Sequence, residues 1–266
     1  MKKTTVAVLG FLVATTGNAF ASSTQWFEAQ GGRVRLVTTG EPDAEGRLKG
    51  MLDIHLDKGW KTYWRDPGEA GVPPQLDTST STNVTAAELN FPAPQRHDDG
   101  YSVWAGYNSS VALPIIFHVG AQGKPVLINA DVFLGICETI CIPVHTKLSL
   151  DPTSAPTDAA DASSVAAAFD ALPMAASPNF GVTIVSQDDK AIVFEAKSPG
   201  DTAKAEFFLA GGEGYSFTTP KLEQKDGKTL FSVEVLDRPT AKPADSGLHY
   251  TLVTDKGAVS GVLPYL

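Results

Sequence analysis

Several features that would announce a function are missing from this 266-residue chain. It has no cluster of Lys and Arg, and its formal net charge is −9, which argues against nucleic acid and anionic lipid as partners. It contains no G-x-S-x-G elbow, no Gly-rich phosphate loop and no H-E-x-x-H motif, and its histidines are scattered at His55, His97, His118, His145 and His249. Past the N-terminus no stretch approaches the roughly 18 uninterrupted apolar residues that a membrane helix needs. Cysteine is scarce: Cys137 and Cys141 are the only two. A chain of this length can build its core without disulfides, so two thiols with three residues between them need an explanation of their own.

The N-terminus indicates a compartment. Lys2 and Lys3 precede an apolar run over residues 6–16, and Ala19-Phe20-Ala21 follows with the small-x-small pattern of a signal-peptidase site. Residues 1–21 are therefore expected to be a signal peptide cleaved after Ala21, and the mature chain to be a periplasmic protein with no membrane span. Losing the leader removes two lysines and no acid, so the mature chain is more acidic still.

From residue 25 to 150 the chain reads as short β-prone segments separated by turn residues. In Met51-Leu52-Asp53-Ile54-His55-Leu56-Asp57, Leu52, Ile54 and Leu56 share one face and Asp53, His55 and Asp57 the other. Residues 151–164, "DPTSAPTDAADASS", have almost nothing to bury and read as a linker. The linker runs into one short helix, "SSVAAAFDALP", with Ser163 or Ser164 as its cap and Pro173 as its stop. Strand patterning then resumes to residue 266, with hairpin turns expected at Gln187-Asp188-Asp189-Lys190, Lys225-Asp226-Gly227-Lys228 and Asp255-Lys256-Gly257. The expected fold is all-β: two tandem immunoglobulin-like β-sandwich domains, residues 22–150 and 176–266, joined by an Ala/Pro/Ser/Asp-rich linker and short helix over 151–175.

The cysteine pair admits three readings. A purely structural staple across so short a ring contributes only about 2 kcal/mol, against roughly 4.7 for a hundred-residue loop. A redox dithiol is also possible, because three intervening residues let the two Cα atoms come within disulfide range, in a helical turn or a tight hairpin. In that reading Glu138 raises a neighbouring thiol pKa, and His145 is the only nearby activator. The third reading is copper held by Cys137, Cys141 and His145. Their C-x3-C-x3-H spacing resembles the binuclear copper centre of cytochrome oxidase subunit II, and soft thiolates suit that metal. The methionine such a centre needs is here Leu148, and only His118 and His97 stand as candidates for a second imidazole.

Three blocks extend the comparison: "KGWKTYWRDPGEAGVPP" (58–74), "LNFPAPQRHDDGYSVWAGYNSSVALPI" (89–115) and "ICETICIPVHTKLSL" (136–150). In that order they resemble the periplasmic N-terminal domain of the thiol:disulfide interchange protein DsbD and its relatives in the copper-sensitivity suppressor (ScsB-like) group. The resemblance implies an immunoglobulin-like sandwich that passes electrons by disulfide exchange, without a cofactor. A membrane-embedded thiol donor, other thiol-disulfide oxidoreductases and periplasmic protein substrates are the implied partners. It assigns Cys137 and Cys141 as the redox pair, with Cys141 as the one joined to partners. Tyr63, Trp64 and Arg65 match the aromatic strand beside the pair, and Asp98, Asp99, Tyr101 and Trp104 match the loop that covers it. The chain departs from DsbD in its narrower cysteine spacing and its more aromatic cap, and no membrane or thioredoxin-like segment follows.

Overall fold

A computed structural model describes residues 22–68, 70–153, 158–212, 214–241 and 247–265, and these are β throughout apart from one helix. The expected signal peptide and its cleavage site after Ala21 lie outside the described residues. The first eleven strands are β1 (Phe27–Ala29), β2 (Gly32–Thr38), β3 (Arg47–Leu56), β4 (Thr62–Gly68), β5 (Gln75–Asp77), β6 (Val84–Leu89), β7 (Gln95–Asp98), β8 (Val103–Tyr107), β9 (Val111–Val119), β10 (Ile128–Cys137) and β11 (Cys141–Leu150). Helix α1 (Ala159–Asp170) follows. The remaining strands are β12 (Met174–Ala175), β13 (Gly181–Gln187), β14 (Ala191–Lys197), β15 (Glu206–Ala210), β16 (Ser216–Phe217), β17 (Lys221–Lys225), β18 (Lys228–Asp237), β19 (Leu248–Thr254) and β20 (Gly257–Leu263).

The alternation around Leu52 builds the first core. Leu52 and Ile54 are fully buried on β3 and face Ile128, Val132 and Leu134 of β10 within one cluster. The larger sheet runs β1-β2-β3-β9-β6, and β11-β10-β5 and β4-β8-β7 form two further three-stranded sheets. In the C-terminal half a β12-β20-β19-β15 sheet packs with a β13-β14-β18-β16 sheet, where β17 also pairs with β18, around Phe194, Phe207, Phe231 and Leu252. All three expected hairpin turns are present. In the second, Asp226 (φ 51°) and Gly227 (φ 74°) carry the two positive φ angles that a tight two-residue hairpin requires.

The structure differs from the sequence reading at the helix. It begins at Ala159, and its cap is Asp158 rather than Ser163 or Ser164. An aspartate held in extended backbone satisfies two otherwise orphaned N–H groups: Asp158 Oδ1 accepts from Ala160 N at 2.7 Å and from Asp161 N at 3.2 Å. Ser164 lies inside the helix and donates back to Ala160 O. The helix also packs against the protein. Val165 and Ala168 bury against Val37 and Met51 on the outer face of the larger sheet, and Asp161 accepts from Ser22 Oγ at 2.7 Å. Met51 therefore serves this outer contact while Leu52 and Ile54 serve the inner core.

The two halves touch through side chains. Phe208 and Ala210 of β15 belong to the N-terminal core, and Phe208 meets Trp64 edge-on at 5.9 Å. Removing two methyl groups from the fully buried Val165 should show what the helix contributes. Val165→Ala should lower stability by about 2 kcal/mol in urea unfolding, whereas a loss below about 0.5 kcal/mol would mean that the helix is not anchored by packing.

Candidate functional site

Strands β10 and β11 pair without a register shift from Ile128↔Leu150 to Cys137↔Cys141. The cysteines are thus the last cross-strand pair before the turn Glu138-Thr139-Ile140, and directly opposed residues project to the same face. They form a disulfide, with Sγ–Sγ 2.05 Å and Cα–Cα 4.1 Å. Their surroundings differ. Cys137 is 1% exposed, whereas Cys141 is an exposed residue and its neighbour Ile140 is 66% exposed.

Backbone contacts fix the Cys137 side. Lys61 N donates to Cys137 O at 2.8 Å and Cys137 N donates to Lys61 O at 2.9 Å, so the residue just before β4 forms a short bridge to the end of β10. Thr62 Oγ1 donates to Gly135 O at 2.8 Å. Gly135 is required there, because a Cβ would stand 2.9 Å from Val72 Cβ. The bridge sends Tyr63 toward the disulfide. Its hydroxyl lies 3.2 Å from Cys141 Sγ, and burial followed by the nearby Asp99 charge pushes its pKa up, which keeps the phenol protonated.

The β7–β8 hairpin supplies the cover. Trp104 is 5% exposed, meets Tyr63 edge-on at 5.7 Å, and forms with Tyr63 and Cys137 a small buried cluster separate from the main core. Its cross-strand partner His97 stacks on it at 4.1 Å with an interplanar angle of 21°. Burial, assisted by the Lys61 charge, pushes the His97 imidazole down, so it is neutral at neutral pH. Lys61 Nζ lies 4.4 Å from the Trp104 ring centroid and 3.3 Å from Asp99 Oδ2. Asp99 Oδ1 in turn accepts from Tyr101 N at 3.1 Å and Ser102 N at 3.0 Å. Those backbone bonds, with Lys61 behind them, hold the Asp99 carboxyl below the usual carboxylate range.

The structure therefore brings together Cys137, Cys141, Tyr63, Trp104 and Asp99. Asp98 shapes the turn by accepting from Gly100 N at 2.8 Å, and Tyr101 is 99% exposed and shields nothing within the chain. Trp64 and Arg65 are not at the disulfide. Successive strand residues face opposite sides, so when Tyr63 faces the disulfide Trp64 faces the main core, and the Arg65 guanidinium stacks 4.8 Å from the Phe91 ring centroid. Sequence reading missed Lys61, and it named His97 only as a loose copper candidate. The available signal was position: Lys61 stands two residues before Tyr63, and His97 opposes Trp104 once the hairpin is drawn.

The copper set is not assembled. His145 pairs across the ladder with Phe133, and its Nε2 lies 2.6 Å from Asp131 Oδ1. Four residues of strand separate it from Cys141 by about 13 Å, beyond any shared coordination shell. His118 bonds to Glu88 at 2.7 Å. Among the described residues no group of three or more His, Cys, Asp and Glu is placed to hold a metal ion.

Residues 36–153 match the DsbD N-terminal family. The model is described as "Thiol:disulfide interchange protein DsbD, N-terminal", and the matched span contains both cysteines and the whole cover. The chain is also similar in fold to the crystal structure of the N-terminal periplasmic domain of ScsB from Proteus mirabilis, with a TM-score of 0.70 and 23% identity over 90% of this chain and 96% of that one. That likeness runs beyond the DsbD-like region into the C-terminal half. No curated protein matches the chain.

Two outcomes follow from this geometry. In the reduced protein the Tyr63 hydroxyl can donate to a Cys141 thiolate, so Tyr63→Phe should raise the Cys141 thiol pKa by about one unit, read from the pH dependence of alkylation. An unchanged profile would remove the hydroxyl from any role at the sulfur. The cover should also loosen in acid. His97 and Asp99 both have folded pKa values below their unfolded ones, so their contributions are complete above those unfolded values and disappear as pH falls through the folded ones. Hydrogen exchange of residues 95–107 should accelerate as pH drops below about 6.5, and again below about 4, after correction for intrinsic rates.

Proposed function

We propose that this protein is a periplasmic thiol-disulfide exchange protein that carries electrons through Cys137 and Cys141, a protein-disulfide reductase-like activity without a cofactor. The observation that carries the reading is the unequal burial of the two sulfurs. A partner can reach Cys141, while Cys137 is held in reserve beneath Tyr63 and Trp104. In the reduced protein the Cys141 thiolate attacks a partner disulfide and expels one partner thiolate, giving a mixed disulfide. Cys137, deprotonated in turn, attacks Cys141 Sγ and releases the second partner thiolate. Two electrons pass to the partner, whose thiolates take up the two protons, and the Cys137–Cys141 bond re-forms. Running the same steps backward recharges the protein from a reduced donor.

The family match supports thiol-oxidoreductase partners, with a membrane-embedded thiol donor upstream and periplasmic proteins downstream. Among the described residues no helix is long and apolar enough to cross a membrane. The lysine-led apolar leader, and the periplasmic source of the similar ScsB fold, support export with cleavage after Ala21. We read the two halves as tandem immunoglobulin-like sandwiches, residues 22–150 and 176–266. Copper held by Cys137, Cys141 and His145 is the weaker reading, because the imidazole stands a full strand segment away and is already paired with Asp131.

Trapping separates the two cysteines. Cys137→Ala leaves the exposed sulfur without its resolving partner and should accumulate mixed disulfides in periplasmic extract, while Cys141→Ala should accumulate few. Failure of both variants, together with a wild-type disulfide inert to protein thiols, would leave the exchange reading without support.

A further inference from the structure

The strand that carries the cover is also gripped from the other half of the chain. β7 is an edge strand of four residues whose only sheet neighbour among the described residues is β8. Arg96 on β7 donates from Nη2 to Phe207 O of β15 at 2.8 Å, and its guanidinium lies 4.6 Å from the Phe208 ring centroid. Asp66 of β4 and Glu206 of β15 supply the facing negative charge. Burial pushes both carboxyls up, and the Arg96 charge opposes that rise in each. The next residue, His97, stacks on Trp104, which covers Cys137. Adjacent strand residues project to opposite sides, so one short strand is tied to the C-terminal half on one face and to the cover on the other.

We infer that the C-terminal half acts as a clamp on the cover of the disulfide, with Arg96 as the positioning residue that transmits its hold from Phe207 and Phe208 through β7 to Trp104. A short edge strand with one neighbour opens at low free energy unless something else holds it, and the Arg96 contacts are that hold. The clamp gives the C-terminal half a part in the reaction that its own residues, which include no cysteine, do not otherwise have. A partner that docks against β15 and draws Phe207 or Phe208 away from Arg96 releases the cover and uncovers Cys137. The biological purpose of the clamp rests on the exchange reading, but its existence is tested without it.

The test uses the full mature chain, reduced with a phosphine and alkylated under limiting iodoacetamide, with the Cys137-to-Cys141 labelling ratio read by mass spectrometry. Cys141 is exposed and serves as the internal reference. Arg96→Gln should raise the ratio about tenfold, as expected for losing a charge-assisted hydrogen bond that limits a local opening. Hydrogen exchange of residues 95–107 should rise with it, while the middle of the β10–β11 hairpin keeps its protection. Arg96→Lys, which keeps the charge and a donor, should fall between the two. Should Arg96→Gln fail to fold, Phe208→Leu removes the ring beneath the guanidinium and should shift the ratio in the same direction. A folded variant with an unchanged ratio and unchanged exchange over 95–107 overturns the clamp, and so does a rise in exchange spread evenly over the chain. Loss of disulfide exchange with protein partners in the wild type counts against the exchange reading alone.

Discussion

The unbroken antiparallel register of β10 and β11 is the constraint on which the site depends. Ten consecutive cross-strand pairs end on Cys137 and Cys141, so the ladder presents the two sulfurs to each other before any side chain near them is considered. Because the core-facing residues of β10 are locked by packing, a slip of one residue would turn Leu134 and Ile136 out of the core, and Cys137, which projects from the other face, would no longer stand opposite Cys141. Hydrophobic burial thus holds the sulfurs in place, and closing the bond between them asks little of the chain.

The same ladder makes the sulfurs unequal. Cys137 is enclosed because β10 passes under the bridge from Lys61 and the hairpin that carries Trp104, whereas Cys141 opens β11 beyond the reach of that cover. The Tyr63 hydroxyl meets the open sulfur at a distance from which it can donate to a negative charge. The small cluster of Tyr63, Trp104 and Cys137 stands apart from the main core, so its opening need not disturb that core. Lys61 links its parts, through backbone bonds to Cys137, a ring contact with Trp104 and an ion pair with Asp99.

Much of this was legible from residue order. Leu52, Ile54 and Leu56 alternate because one face of β3 meets the core, and the three hairpin turns were readable from Asp, Gly and their flanking strands. The resemblance through Tyr63, the Asp98-Asp99 turn and the cysteine pair pointed to residues that the fold brings into one corner of the molecule. Trp64 was carried along with Tyr63 because a motif is read as a block, while a strand sends successive residues to opposite faces. Arg65, which simple alternation would return to the face of Tyr63, instead stacks on Phe91, where the β4–β8 register shifts. The helix start was misplaced because Ser163 and Asp158 are both good caps in isolation, and the choice follows from Asp161 reaching Ser22 and Val165 reaching Met51.

The sequence by itself determined what depends on neighbours along the chain: the alternating strands, the acidic balance, and a cysteine pair close enough to bond. Tertiary structure decided what depends on distance through space. It separated His145 from the sulfurs, buried one cysteine and exposed the other, laid His97 on Trp104, and brought β15 against Arg96. The physical reason is that strand geometry fixes spacing and facing within a segment. Which faces meet is decided only when segments far apart in sequence pack together to remove their apolar surface from water.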